Sequence, residues 1–240
     1  MKHKERAHSK FSASGAERWM SCSGSVALSE GLPDKTSDAA LEGTHAHEVL
    51  EQMLLNANAI ISAPGEMIDH GLAAAEFMWA KQKEHEGSDL IVENRVYLDF
   101  IHPEMFGTYD GAVVDYFGTL HVFDYKYGKG HMVTPKNNWQ MLFYGIGLAH
   151  KFHWNFKTVK LWIIQPRIRG YDGPLFWEIP ISELRRYVPK FRQAVERVLT
   201  RPKSYKEGSW CWFCKAKNIC PLKKEKRLQD AKSVFTKINS

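Results

Sequence analysis

The chain has 240 residues, 44% of them hydrophobic and 25% charged, which suits a well-cored globular domain and excludes a low-complexity or disordered chain. Its 33 Lys and Arg against 27 Asp and Glu leave a formal net charge of +6, an excess that suits a polyanion such as nucleic acid without requiring one. Met1–Lys10 is polar and basic, without the apolar run of a secretory signal, and no segment reaches the roughly 18 apolar residues of a membrane-spanning helix. The expected setting is the cytoplasm, where cysteines stay reduced and serve as ligands or free thiols rather than disulfides.

In chain order, Ser12 and Ser14 are expected to cap a short helix over Ala16–Met20. Asp38–Asn56 reads as a helix whose apolar face is Ala40, Val49, Leu50, Met53 and Leu54. Pro64 and Gly65 punctuate, and Met67–Glu86 reads as a second helix carrying Leu72, Ala75, Phe77, Met78 and Trp79. The period then changes. Ile91–Phe100, Gly107–Tyr116 and Leu120–Tyr127 read as strands rich in Val, Tyr and Phe, with Gly118-Thr119 as a hairpin signal. Asn137–His150 returns to helix, and Thr158–Gln165 and Pro174–Ile179 read as strands. Ser182 is expected to cap a helix toward Leu199 that Pro189 kinks or divides. This order predicts an α/β fold, a central sheet with helices on its faces.

Gly107-Thr108-Tyr109-Asp110 precedes Phe123-Asp124-Tyr125-Lys126 across that hairpin. Antiparallel strands would set Asp110 beside Asp124, and the two-residue spacing puts Asp124 and Lys126 on one face. Two carboxylates and an ammonium suit phosphodiester hydrolysis. The oxygens would hold Mg²⁺ or Mn²⁺, and the lysine would orient water and offset growing negative charge. The plainer alternative is a surface ion pair beside a solvated Asp110. On the first long helix, Gly43, His47 and Glu51 share a face. Gly43 would let the sheet, or a DNA backbone, come close, and His47 could supply a nitrogen ligand. His45 is its competitor, pointing elsewhere. Gln140 and Tyr144, at i and i+4, could hydrogen-bond a phosphate or a base.

Gly43-x3-His47, Gly107-x2-Asp110, Asp124-x-Lys126 and Gln140-x3-Tyr144 together resemble the ordered motifs of RecB-like nucleases of the PD-(D/E)XK superfamily. That resemblance implies a restriction-endonuclease-like core of helix, three strands, helix and strand. It implies metal ligands at His47, Asp110, Asp124 and the Tyr125 carbonyl, a catalytic Lys126, and DNA-holding roles for Gln140 and Tyr144.

Cys22 stands far from Cys211, Cys214 and Cys220, which read Cys-x2-Cys-x5-Cys. Zinc, an iron–sulfur cluster and two disulfides all remain open on spacing alone. One cysteine before the nuclease motifs and three after resembles the AddB-type RecB-like nucleases, which implies a [4Fe–4S] cluster acting as a staple. The expected organisation is one nuclease domain over 1–240 with a cluster-binding lobe from 11–35 and 202–225. The run from Phe11 to Cys22, including Glu17-Arg18-Trp19-Met20-Ser21, resembles a phage and prophage family of undefined function, although Ser23 stands where that family often has Pro. This implies a phage- or prophage-encoded protein in a bacterial host and a single-strand annealing protein as partner.

Trp210, Trp212 and Phe213 surround the cysteines and could stack on unpaired bases or serve a core. Lys223, Lys224, Lys226 and Arg227 could touch phosphates or form a solvated helix face. Gly128-Lys129-Gly130 lacks the spacing of a phosphate-binding loop, so no ATP motor is visible. The expected activity is metal-dependent DNA hydrolysis by activated water, exonucleolytic at DNA ends. The alternative is a non-catalytic DNA-binding protein in which the four cysteines clamp a structural zinc.

Overall fold

A computed structural model describes residues 9–33 and 37–238. The chain runs α1 (Ala16–Ser21), α2 (Gly24–Ser29), α3 (Asp38–Leu55), α4 (Gly65–Lys83), β1 (Asp89–Tyr97), β2 (Phe106–Asp115), β3 (Thr119–Tyr125), α5 (Trp139–Lys151), β4 (Thr158–Ile164), β5 (Leu175–Pro180), α6 (Ile181–Arg185), α7 (Val188–Thr200) and α8 (Pro221–Ile238). It forms two compact units, one of Met1–Ser14 with Thr36–Val188, the other of Gly15–Lys35 with Pro189–Ser240.

The first unit is an α/β layer structure on a five-stranded sheet of order β1-β2-β3-β4-β5. Only β3 and β4 pair in parallel; the other three pairs are antiparallel. A parallel neighbour needs a crossover, and α5 supplies it. The helix, three strands, helix and strand expected from the motifs are therefore present in that order. The last seven residues of β2 are all buried, as befits a central strand covered on both sides.

The alternation along β3 sorts its side chains. Phe123 and Tyr125 join the cluster built by Ala46, Val49, Leu50 and Met53 of α3 and by Met67, Ala74, Ala75 and Met78 of α4. Asp124 takes the opposite face, where Gln140 at the start of α5 meets it. Helix α5 buries every residue from Met141 to Ala149. Its Gly147 is pressed so close to β1 that an added Cβ would lie 2.3 Å from Val96 Cγ2.

The second unit joins the two ends of the chain. Trp19 and Phe191 rings meet at 5.9 Å, and Arg197 donates to the Met20 carbonyl at 3.0 Å. The Gly24 amide donates to the Ser204 carbonyl at 2.8 Å, an approach that a Cβ on Gly24 would block. Phe191, Ala194, Val195 and Val198 form the buried stripe of α7, an i, i+3, i+4, i+7 pattern.

Local expectations failed where caps were read from single serines. Helix α1 starts after Gly15 with no side-chain cap, so neither Ser12 nor Ser14 caps it. Helix α6 starts at Ile181 after Pro180, which puts Ser182 inside it. The break before α7 falls at Arg186 and Tyr187, ahead of Pro189, because proline fits the first turn, where its missing N–H has no partner to lose. Among the described residues no helix is long and apolar enough to cross a membrane.

Candidate active site

Asp110 lies one residue beyond the β2–β3 pairing, which ends at Gly111 opposite Phe123. The antiparallel register therefore sets Asp110 across from Asp124. Both are buried, 8% and 2% exposed. Buried carboxylates require partners, and each has its own. Asp110 accepts from the Tyr125 amide at 2.7 Å and pairs with His47 Nδ1 at 2.7 Å. Asp124 Oδ1 accepts from Lys126 Nζ at 3.1 Å and from Gln140 Nε2 at 3.0 Å.

Gln140 ties the polar face together. Its Oε1 accepts from Lys126 Nζ at 3.1 Å, and its Nε2 also reaches the Tyr144 hydroxyl at 3.0 Å. It holds this position because Asn138 caps α5, accepting from the Gln140 and Met141 amides.

The electrostatics follow from burial and pairing. Burial pushes the Asp110 carboxyl up, but the His47 charge and hydrogen bond, the Tyr125 amide and Lys126 outweigh it and leave it below the usual carboxylate range. Asp124 goes the other way: burial, joined by the Asp110 charge, prevails over Lys126 and raises it. His47 is raised, since the Asp110 charge and hydrogen bond overcome burial. Two facing carboxylates thus sit at different proton affinities, as repulsion between neighbouring like charges demands.

His47, Asp110, Asp124, Lys126, Gln140 and Tyr144 line one open cavity. Tyr125 offers this place its backbone, while its ring packs in the core beneath α3. His45 does not line it. A Cβ on Gly43 would meet nothing within 4 Å, so the expected close approach of the sheet to Gly43 is absent; that backbone faces open space.

The sequence reading missed Ser14, Thr44, Glu93 and Thr108, which line the same cavity. Thr44 and Thr108 stand beside predicted motif residues, a signal that neighbourhood alone could have given. Glu93 bears a φ of 38° in mid-strand, a strained conformation for a non-glycine residue that concentrates at functional sites. A Glu between Val92 and Asn94 gives no sequence sign of it.

Whether the cavity suits a cation can be judged from its donors. Among the described residues no three His, Cys, Asp or Glu side chains converge into a ligand cage, and the two carboxylates are held by the protein's own cations and amides. One buried oxygen is still available. Asp124 Oδ2 has no hydrogen-bond partner; Lys126 Nζ lies 2.8 Å away as an ion pair but aligns its hydrogen bond with Oδ1. The Asp110 and Asp124 carboxylates are hard oxygen donors of the kind Mg²⁺ or Mn²⁺ takes, and the His47 imidazole is a borderline donor beside them; an ion at Asp124 Oδ2 would have to displace the Lys126 ammonium.

In the second unit, Cys22 is buried and Cys211, Cys214 and Cys220 are half-buried, all as free thiols. The disulfide alternative is thus not realised. All four line one narrow cleft together with Arg18 and Lys206. The Lys206 amide points at Cys22 Sγ, 3.4 Å away. Thiolates are the ligands that soft metals and clusters take, but among the described residues these four do not converge into a metal-holding group. Trp210 donates to the Lys206 carbonyl at 3.1 Å, whereas Trp212 and Phe213 stand 75% and 84% exposed, outside any core.

Twenty-one solved chains are similar to this one, three of them as follows. The crystal structure of SSO0001 is 12% identical, with a TM-score of 0.43 over 90% of this chain and 88% of that one. A candidate exonuclease from Eubacterium rectale is 11% identical, with a TM-score of 0.45 over 83% and 85%. The alkaline exonuclease LHK-Exo from Laribacter hongkongensis is 12% identical, with a TM-score of 0.30 over 77% and 92%. At the level of sequence, residues 8–240 match the family described as protein of unknown function, DUF2800, and a match over nearly the whole chain means that the chain belongs to that family.

Proposed function

We propose that the chain is a Mg²⁺- or Mn²⁺-dependent deoxyribonuclease of the RecB-like kind, hydrolysing phosphodiester bonds at DNA ends. One observation carries the reading: six residues from α3, β2, β3 and its following residue, and α5 line a single polar cavity. His47, Asp110, Asp124 and the Tyr125 carbonyl would hold the ion. When bound, such an ion supplies Lewis-acid stabilisation of phosphate oxygens and a more acidic water as nucleophile. Lys126, held by Asp124 and Gln140, would offset the negative charge that a phosphate gains as it is attacked. Gln140 and Tyr144 offer hydrogen-bond groups to a phosphate or base at the same edge.

The four thiols of the second unit would hold a [4Fe–4S] cluster, supported by their shared cleft and by the arrangement of one cysteine before and three after the nuclease motifs. Its role would be structural. Action in phage-type recombination, with a single-strand annealing partner, rests on the resemblance of the Phe11–Cys22 segment.

The test is cleavage of end-labelled single- and double-stranded DNA in Mn²⁺. Wild-type protein should cleave. Asp124→Ala should abolish cleavage while still binding DNA, and full activity in that variant would overturn the assignment. Iron and sulfide analysis with a visible absorption spectrum tests the cluster; zinc in its place would refute it.

A further inference from the structure

The most exposed aromatic side chains among the described residues are Trp212, at 75%, and Phe213, at 84%. They are adjacent and lie between Cys211 and Cys214. Two rings of this size in water are unfavourable unless something covers them. Their backbone is pinned. Lys217 Nζ donates to the Trp212 carbonyl and the Arg18 guanidinium to the Phe213 carbonyl, each at 3.4 Å. Two cations therefore stand within a residue of the two rings.

The charge around them is lopsided. The second unit carries 16 Lys and Arg against 7 Asp and Glu, while the first carries 17 against 20. The whole positive excess of the protein thus resides in the unit that also exposes the aromatic pair. Lys206, Lys217, Lys223 and Arg18 line the cleft beside it.

We infer that Trp212 and Phe213, with Arg18 and Lys217 beside them, form a docking surface for single-stranded DNA. The inference rests on DNA being the substrate, as proposed above, and adds which form of it this unit holds. Unpaired bases present faces that stack on aromatic rings, and their phosphates lie within reach of flanking cations. A duplex hides those faces and could use only the charges. An apolar protein partner would cover the rings but leave the cations unmatched. A single strand satisfies both features.

The test uses the full chain and fluorescence anisotropy without added divalent metal, on a labelled oligothymidylate of about 20 nucleotides and a duplex of equal length. Trp212→Ala with Phe213→Ala should weaken oligothymidylate binding about tenfold and leave duplex binding within about twofold. Trp212→Phe with Phe213→Tyr should restore it, which separates stacking from a folding defect. Unchanged oligothymidylate binding in the alanine variant, or equal loss on both DNAs, overturns the inference. So does a change of mass by light scattering with DNA binding intact, which would mark the surface as a contact between copies. Cleavage by the wild type in Mn²⁺ is scored separately. If it fails while the binding pattern holds, the nuclease reading falls and the docking surface stands.

Discussion

His47 on α3 and Asp110 on β2, 63 positions apart, meet at 2.7 Å. The contact serves two purposes. It gives a buried carboxylate a partner, and it presents the imidazole and the carboxylate together at the cavity. If a cation takes up these groups, removing one should weaken it. His47→Ala is expected to lower Mn²⁺ affinity by about 10- to 100-fold, measured by isothermal titration calorimetry, with a matching rise in the Mn²⁺ needed for cleavage. Unchanged affinity would exclude His47 from the ion's surroundings.

Lys126 is a different kind of group, since it touches Asp124 and Gln140 but not Asp110. Lys126→Ala should lower the single-turnover cleavage rate by about 10²- to 10³-fold with DNA affinity in Ca²⁺ little changed. Gln140→Ala frees the ammonium from one anchor and should cost less, about tenfold, through misplacement rather than loss of charge. A Gln140 variant slower than the Lys126 variant would reverse this ordering.

These residues are legible in the amino-acid sequence because their spacing is local: i, i+4 on a helix and i, i+2 on a strand fix a shared face. The sheet is legible for the same reason, since its runs of Val, Tyr and Phe alternate between turn residues. The unread parts depend on tertiary context. Glu93 reaches the cavity through a backbone turn of φ 38° that no residue type announces. Ser14 looks like a helix cap, yet it lines the cavity while α1 begins without one. Gly43 looks like a packing glycine, yet nothing packs on it.

His121 gives the fold a pH dependence separate from the cavity. Its ring stacks on Trp162, with centroids 6.2 Å apart and planes 5° apart, and its Nδ1 accepts from Trp162 Nε1 at 3.2 Å. Burial, joined by the nearby Lys160 ammonium, pulls its pKa down to about 4. The folded protein therefore holds this ring neutral where the unfolded chain, near 6.5, begins to protonate it. The stabilisation is complete above pH ~6.5 and is lost as pH falls toward about 4, by ~3 kcal/mol in all. Urea melts across that window should show a shallower acid decline for His121→Phe than for wild type. Identical slopes would mean that the ring is protonated in the fold.

Gly147 tests the packing that sets α5, and with it Gln140, against the sheet. A Cβ there would fall 2.3 Å from Val96 Cγ2, 2.9 Å from Leu98 Cδ1 and 3.1 Å from the Tyr97 carbonyl oxygen. Two of these are side chains that can yield by small shifts, but the third is strand backbone held in a ladder with β2. Alanine normally favours a helix over glycine by about 1 kcal/mol, so a stabilising substitution would be the expectation from propensity alone. Overpacking against a fixed strand costs about 1–3 kcal/mol and should win. Gly147→Ala is expected to lower the Tm by about 2–8 °C in thermal melts. Cleavage should fall along with it if the shift carries α5 away from Asp124, since Gln140 lies two turns up the same helix. A variant that melts higher than wild type would show that α5 has room to move and that its register on the sheet is not what positions Gln140.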